Sequence, residues 1–159
     1  KSELMKKTNA IRLLIQKNIQ FNLVEYIYQP EDLSLNKIAE DNSLKLDQVY
    51  KTLVLKGDKT GVVIALVAGD KSLALKKFAS VSGNKKVTLV AVRDLQKNTG
   101  YIRGGCSPLG MKKNYQIYIS EEAKSLKMMY INAGARGLLV GLSPQDLYST
   151  TQGKWASII

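Results

Sequence analysis

Apolar residues near the start of the chain recur at helical spacing. They begin at Ala10, and either Thr8 or Asn9 can cap the helix that this spacing predicts. The next apolar stretch, residues 21–28, is typical of a strand, and Pro30 ends it. The first part of the chain is therefore predicted to be a helix followed by a strand.

Strands and helices follow one another irregularly along the rest of the chain. Two β-rich runs, residues 49–55 and 62–68, are joined by KGDKTG, whose glycines and aspartate suit a hairpin turn. Helices do not recur between every pair of strands, as a doubly wound sheet would need. We therefore predict the α/β (α+β) class, with a single domain around one mixed, curved sheet flanked by helices. The other predicted elements, in chain order, are a short helix capped by Ser34, a helix over 72–80, a partly helical run over 87–92, strands over 116–119, 127–131 and 138–142, a helix opened by Ser143-Pro144, and a strand over 155–159.

Length and composition fit one compact domain. The chain has 159 residues, of which 45% are hydrophobic, enough for a sizeable core. No run is long and apolar enough to span a bilayer, and the first residues lack a secretory pattern, so we expect a soluble cytoplasmic protein. The single cysteine agrees with a reducing compartment. We also expect residues 1–4 to be left from an expression vector and residues 5–159 to form the domain.

Charge and the absence of histidine narrow the possible chemistry. Lysine and arginine number 24 against 13 acidic residues, for a formal charge of +11. Such a surface is either an ordinary solvated one or one that binds a polyanion such as nucleic acid, and charge alone does not decide. The chain has no histidine, which excludes Ser-His-Asp and Cys-His catalysis and most zinc sites. Because the carboxylates are scattered or paired near predicted turns, we predict neither a metal nor a cofactor.

The segment TGYIRGGCSPLGMKKN, residues 99–114, is rich in glycine. It is not a phosphate-binding P-loop, because Met111 stands where lysine must follow the second glycine of that motif. Two interpretations remain, a tight surface loop or a backbone that presents N–H groups to an anion or a carbonyl. The neighbouring cations Arg103, Lys112 and Lys113 favour phosphate contact.

Lys51 is an unusual residue in an otherwise apolar predicted strand. It shares a face with Leu53, and both faces are largely apolar, so we expect the lysine to emerge inside a cleft or at its rim. A lysine that only packs its stem on the sheet is the ordinary alternative. Since the chain has no histidine, Lys51 is the best candidate for handling substrate charge or polarising a carbonyl.

Three ordered motifs resemble the YbaK/EbsC family of aminoacyl-tRNA deacylases, which is related to the editing domain of bacterial prolyl-tRNA synthetases. They are VYKTLVL at residues 49–55, TGYIRGGCSPLG at 99–110 and YINAGARGLLVGLSPQDL at 130–147, and KTNAIRLL at 7–14 resembles the family's first helix. The resemblance implies a barrel-like mixed sheet and trans-editing, in which the ester between a wrong amino acid and tRNA is cleaved. Cysteine on tRNA(Pro) is the substrate that it implies.

The resemblance also implies roles for individual residues. Lys51 matches the family's essential lysine, and Gly104 and Gly105 match a pair whose backbone amides hold the scissile ester. Such amides can stabilise negative charge on the carbonyl oxygen, an effect of roughly 3–4 kcal/mol per donor. The remaining positions assigned to the substrate pocket are Tyr26, Thr52, Ser107, Pro108, Asn132 and Gly134.

In cysteine-specific members of the family the substrate's own thiol is the implied nucleophile, which would let a protein without histidine cleave an ester. Cys106 is expected to be a small buried side chain instead. Prolyl-tRNA synthetase is an implied partner. Asn132 replaces the family's usual serine and Leu139 a usual aspartate, so two alternatives stay open. One is a deacylase for alanyl- or seryl-tRNA that uses water, and the other is a non-catalytic tRNA-binding module.

Overall fold

The structure is a computed structural model that describes residues 7–32 and 34–159. The predicted vector remnant, residues 1–4, lies outside the described residues. The helices are α1 (Asn9–Gln16), α2 (Leu35–Asp41), α3 (Leu75–Val81), α4 (Val92–Thr99) and α5 (Pro144–Thr151). The strands are β1 (Asn22–Glu25), β2 (Tyr50–Gly57), β3 (Gly61–Ala68), β4 (Val87–Leu89), β5 (Ile117–Ser120), β6 (Met129–Ala135), β7 (Leu138–Leu142) and β8 (Lys154–Ala156).

The described strands form two sheets that face a common core. One sheet has three antiparallel strands in the order β1-β7-β6, and the other has five in the order β4-β2-β3-β5-β8, with β5 parallel to both of its neighbours. Ile64 and Leu66 of the larger sheet and Ile131 and Val140 of the smaller belong to one buried cluster. The mixed α/β class is confirmed, whereas the barrel-like closure is not.

The prediction of one curved sheet is corrected to two sheets. Each sheet has an apolar face that must be buried, and packing the two faces against each other buries both. A parallel bridge between Val49 and Tyr130 joins the sheets just before β2 begins. This bridge brings the start of β2 close to β6.

The first helix begins where the sequence predicts. The Thr8 hydroxyl accepts a hydrogen bond from the Ile11 amide, at 3.1 Å, and caps α1. The same hydroxyl donates to the Ala133 carbonyl, at 2.6 Å. Thr8 therefore ends the loop before α1 and also fastens the helix to β6.

Several predicted elements differ in extent from those observed, among them the strand predicted over 127–131, which is Met129–Ala135, and the helix predicted over 72–80, which is Leu75–Val81. The strand predicted over 21–28 ends at Glu25, because its partner β7 begins at Leu138 and the next amide, of Tyr26, already donates to Gly137 in the turn. Of the run 87–92, only residues Val87–Leu89 form strand β4, and helix α4 begins at Val92. The closing strand is Lys154–Ala156, where β5 offers a partner, instead of 155–159.

The hairpin of β2 and β3 forms in the predicted place and carries the residues of greatest interest. Its register pairs Lys51 with Val67 and Thr52 with Leu66. The glycine-rich segment follows α4 and runs across the molecule to β5. No helix among the described residues is long and apolar enough to cross a membrane.

Candidate active site

A cavity of about 340 Å³ opens where the first residues of β2 approach the glycine-rich loop. The segment after β1 and helix α2 close its other sides. The residues that line it come from six separate parts of the chain and are Tyr26, Ile27, Tyr28, Gln29, Asp32, Leu35, Lys37, Ile38, Asp41, Tyr50, Lys51, Thr52, Leu53, Arg103, Gly104, Cys106, Asn132 and Leu139.

Lys51 and Thr52, at successive positions of β2, both line the cavity. Because they are neighbours in a strand, their side chains leave on opposite faces of the sheet. Lys51 is half-buried. The Thr52 hydroxyl oxygen is buried and has no hydrogen-bond partner, and it is the single such side-chain atom in the part of the chain that the structure describes. A buried hydroxyl without a partner is uncommon in a folded protein.

Gly104 lines the cavity with its backbone. Its φ is +84°, a conformation that favours glycine, and a Cβ at this position would lie 2.8 Å from Cε1 of Tyr28. Its carbonyl accepts a hydrogen bond from the side-chain nitrogen of Asn132, at 3.0 Å. Among the described residues no acceptor pairs with the N–H of Gly104 or with that of Cys106, which also lines the cavity. These two amides are available to an incoming group.

Gly105, unlike Gly104, does not line the cavity. Its amide donates to the Ile102 carbonyl, at 2.9 Å. A Cβ here would lie 3.0 Å from the Arg136 amide nitrogen and 3.1 Å from the Ala135 carbonyl carbon. The glycine is needed because the loop packs directly on the β6–β7 turn, and its amide is not free to bind a ligand.

Asn132 joins the glycine-rich loop to β6. Its side-chain oxygen accepts from the Gly134 and Ala135 amides, at 2.6 and 3.1 Å, while its nitrogen donates to Gly104. These bonds span the irregularity in the pairing of β6 with β7. Burial raises the pKa of the nearby Tyr26 hydroxyl, against smaller opposing effects of hydrogen bonding to the Gly137 main chain and to Asn132. The Asn132 side chain thus uses most of the hydrogen bonds that it can form to hold the loop in place.

Tyr28 lines the cavity, and Arg136 packs against its ring. The Arg136 guanidinium carbon lies 4.8 Å above the Tyr28 ring centre, a cation–π contact. Its Nε donates to the Arg103 carbonyl, at 3.0 Å. Arg103 and Arg136 are both exposed, so positive charge surrounds this side of the opening.

Cys106 places a thiol in the cavity wall, but the thiol is poorly suited to act as a nucleophile. Burial raises its pKa to about 11, and hydrogen bonding to Thr99 lowers it only in part. At neutral pH the group is therefore a neutral thiol, which is the unreactive form.

Besides Gly105, five predicted site residues lie away from the cavity. Ser107 is fully buried and its oxygen accepts from the Leu109 amide, at 3.2 Å. Pro108 and Lys113 line a separate surface hollow, and the Lys112 ammonium donates to the Lys97 carbonyl. Gly134 packs against Tyr101 and Thr8. The structure brings together Lys51, Thr52, Gly104, Tyr26, Asn132 and Arg103, and leaves Gly105, Ser107, Pro108, Gly134, Lys112 and Lys113 outside.

Sequence reasoning assigned no site role to Tyr28, Tyr50 or Leu139, although all three line the cavity. Tyr28 could have been found, because it lies two residues after Tyr26 and an extended chain directs both to one side. Leu139 is 2% exposed, so the position where the family usually has aspartate is here an apolar part of the wall. Among the described residues no group of carboxylate and thiol side chains could hold a metal ion.

Comparison with known proteins shows which family the chain belongs to. The aminoacyl-tRNA editing domain family matches residues 30–149. A curated Enterococcus faecalis protein, EbsC, described as a candidate Cys-tRNA(Pro)/Cys-tRNA(Cys) deacylase, is 41% identical over 99% of this chain and 96% of its own length. A proline–tRNA ligase from Thermosipho africanus is 28% identical over 57% of this chain, which corresponds to 16% of the ligase.

The fold agrees as well. The crystal structure of a candidate trans-editing enzyme for prolyl-tRNA synthetase superimposes with a TM-score of 0.82 and 21% identity, covering 97% of this chain and 98% of that one. The resemblance predicted from the three motifs is therefore confirmed, and the chain belongs to the aminoacyl-tRNA editing domain family.

Proposed function

We propose that the protein is a trans-editing hydrolase that removes a wrongly attached amino acid from tRNA, with Cys-tRNA(Pro) as its substrate. The proposal is supported by membership of the editing family and by the 41% identical relative described as a candidate deacylase for that substrate. The observation that carries it is the cavity shared by Lys51 of β2 and Gly104 of the glycine-rich loop. Such a protein acts where translation takes place, in the cytoplasm.

The free main-chain amides of the loop are the proposed ligands of the ester carbonyl. The N–H groups of Gly104 and Cys106 lack acceptors among the described residues, whereas the N–H of Gly105 is occupied. We therefore assign stabilisation of the developing oxyanion to Gly104 and Cys106, and assign to Gly105 the close packing of the loop on the turn after β6. Lys51 adds a positive charge to the same cavity.

The substrate supplies the proposed nucleophile. The cysteine sulfur attacks its own ester carbon, the bond from that carbon to the ribose oxygen breaks, and the thiol proton passes to the ribose oxygen of the released tRNA. The product is a cyclic thioester, which water opens to free cysteine. Because attacking and attacked atoms belong to one molecule, the protein mainly needs to orient them. This mechanism needs no histidine and does not use the Cys106 thiol.

Prolyl-tRNA synthetase is the proposed partner. The cavity contacts only the end of the tRNA that carries the amino acid, so selection of tRNA(Pro) needs another contact. Regions of proline–tRNA ligases are related in sequence to this chain, which makes the synthetase the natural source of mischarged tRNA.

Deacylation of a panel of mischarged tRNAs by wild type and Lys51→Ala tests the proposal. We expect wild type to discharge Cys-tRNA(Pro) and Lys51→Ala to lose at least about 100-fold in kcat/KM, the effect of removing one group that stabilises the oxyanion. Lys56→Ala is the matched control, because Lys56 is exposed on the same strand and lies outside the cavity. A cyclic thioester trapped among the products would support attack by the substrate thiol.

Other outcomes would contradict parts of the proposal. Full activity of Lys51→Ala on every tRNA would remove Lys51 from the mechanism. Discharge of alanyl- or seryl-tRNA at the rate of cysteinyl-tRNA would exclude the thiol mechanism and favour attack by water. Binding of tRNA without discharge of any member of the panel would leave a non-catalytic module.

A further inference from the structure

We infer that the edge of β2 at Thr52 binds the α-ammonium group of the aminoacyl ester, so that the protein acts on free aminoacyl-tRNA and rejects esters whose amino group is acylated. The inference rests on the proposed deacylase function and deepens it. It assigns to Thr52 the discrimination between aminoacyl-tRNA and peptidyl-tRNA.

The register of the hairpin shows which way the main chain of Thr52 faces. In an antiparallel pair, successive residues direct their N–H and C=O alternately toward one neighbour and the other. The Ile64 amide donates to Gln116, away from β2, so its partner Val54 directs its own main-chain groups away from β3. The Val54 carbonyl indeed accepts from Val90, on the other edge.

Thr52 lies two residues before Val54 and therefore has the same orientation. Its N–H and C=O point to the edge of β2 opposite β3. On that edge the described pairing with β4 covers only Leu55 to Gly57, and the Val90 bond extends it to Val54. The main chain of Thr52, which lines the cavity, consequently lies on this edge between the Val49–Tyr130 bridge to β6 on one side and the pairing with β4 on the other.

The chemistry of this edge fits a cationic donor. The Thr52 carbonyl offers lone pairs at this edge, and the buried hydroxyl oxygen of the same residue has no partner. An ammonium has three donors and no acceptor, so it can satisfy two neighbouring oxygens at once. A substrate thiol has a single weak donor and would satisfy at most one of them.

The charges around the cavity do not attract an ammonium by themselves. The lining contains three cationic side chains, Lys37, Lys51 and Arg103, and two carboxylates, Asp32 and Asp41. Asp41 is already paired with Lys37, at 3.2 Å, and Asp32 accepts from the Ser34 amide. Directed hydrogen-bond acceptors are therefore needed to hold a positive group there, and Thr52 provides them.

The test compares Cys-tRNA(Pro) with N-acetyl-Cys-tRNA(Pro) as substrates for wild type, Thr52→Val and Thr52→Ser. We expect wild type to prefer the free amine about 10- to 100-fold in kcat/KM, the effect of a hydrogen bond to a charged group. Valine matches threonine in shape without the hydroxyl, so Thr52→Val should lose most of the preference. Thr52→Ser keeps the hydroxyl and should retain it. A general structural defect would slow both substrates equally.

Binding to two stable adenosine analogues separates this inference from the proposed function. Both carry a 3′-amide in place of the ester, one with a cysteinyl group and one with a 3-mercaptopropionyl group, which lacks the amine. Tighter binding of the cysteinyl analogue to wild type and Thr52→Ser, but not to Thr52→Val, supports the inference even if no tRNA is discharged. Equal cleavage of both tRNAs, or equal binding of both analogues by wild type, would overturn it.

Discussion

At the scale of single residues, the surroundings of a side chain decide its chemistry more than its identity does. Cys106 is the only thiol in the sequence and lies in the cavity wall, yet burial raises its pKa to about 11. Thr52 is a common residue, yet its hydroxyl is buried without a partner. The thiol is therefore held in its unreactive neutral form, while the Thr52 hydroxyl is left without a hydrogen-bond partner.

The raised pKa of Cys106 predicts a loss of stability at alkaline pH. In the unfolded chain the thiol ionises near its ordinary value of about 8.5, so the folded state binds the proton more tightly. This contribution to stability is fully present below that value and disappears as pH rises through about 11. We expect the difference in unfolding free energy between wild type and Cys106→Ala to fall by about 2 kcal/mol from pH 7.5 to pH 10.5.

Urea unfolding of both proteins at the two pH values measures this difference. The upper pH lies below the pKa of about 12 that burial, with a smaller contribution from Cys106, gives the neighbouring Tyr101, so ionisation of this tyrosine contributes little to the comparison. A difference that stays constant with pH would mean that the thiol is not buried in the folded protein as described.

At the scale of elements, the glycine-rich loop is held at several points along its length. The Tyr101 hydroxyl donates to the Leu109 carbonyl, at 2.6 Å, and the Lys112 amide donates to the Thr99 carbonyl. Asn132 and Arg136 bind the loop carbonyls of Gly104 and Arg103 from the neighbouring sheet. These contacts fix the free amides in one position before a substrate arrives, which is what stabilisation of an oxyanion requires.

Gly104→Ala tests the contribution of the loop backbone, and Gly83→Ala is its matched control. Both glycines have positive φ, +84° and +81°, so each alanine costs roughly 1–2 kcal/mol of strain. Only at Gly104 does the new Cβ also meet Tyr28 in the cavity, whereas the space around Gly83 is open. We expect similar losses in thermal stability, but at least about a 100-fold loss of deacylation for Gly104→Ala alone.

Thermal unfolding and deacylation rates of the two variants provide the comparison. Equal activity of the two would show that the loop backbone at Gly104 does not take part in the reaction. A much less stable Gly104→Ala would require the rate to be measured well below its unfolding temperature.

At the scale of the whole molecule, the excess of positive charge favours a polyanionic substrate. The formal charge is +11, the exposed Arg103 lines the cavity, and the exposed Arg136 lies against Tyr28 of its wall. The amino acid of an aminoacyl-tRNA is at the end of a long chain of phosphates, and we propose that Arg103 contacts the phosphates nearest the ester. Lys112 and Lys113, predicted in the same role, lie further from the opening and stay a weaker prediction.

Salt dependence of tRNA binding measures these phosphate contacts. We expect the affinity to fall steeply with salt, and Arg103→Ala to reduce the slope of log K against log salt by about 1, the value for one phosphate contact. Lys59→Ala is the control, because Lys59 is exposed in the hairpin turn at the far end of β2. Equal slopes for Arg103→Ala and wild type would place the tRNA elsewhere on the surface.

Much of the fold follows from local patterns that the sequence carries. The cap of α1 at Thr8, the hairpin of β2 and β3, and α5 after Ser143 all form where predicted, because each depends on a few adjacent residues. The extent of β1 could not be predicted in this way. It depends on where β7 begins, and those residues are far away in the sequence.

The sequence by itself determined which chemical groups the protein has: no histidine, one thiol, a lysine in an apolar strand and a segment rich in glycine. Tertiary structure alone decided which groups are free to act. Gly104 and Gly105 are identical in sequence terms, but one faces the cavity while the amide of the other is bonded within the loop. The reason is physical, since a main-chain group or hydroxyl is free only when no distant segment packs against it. That depends on how the two sheets and the loop come together.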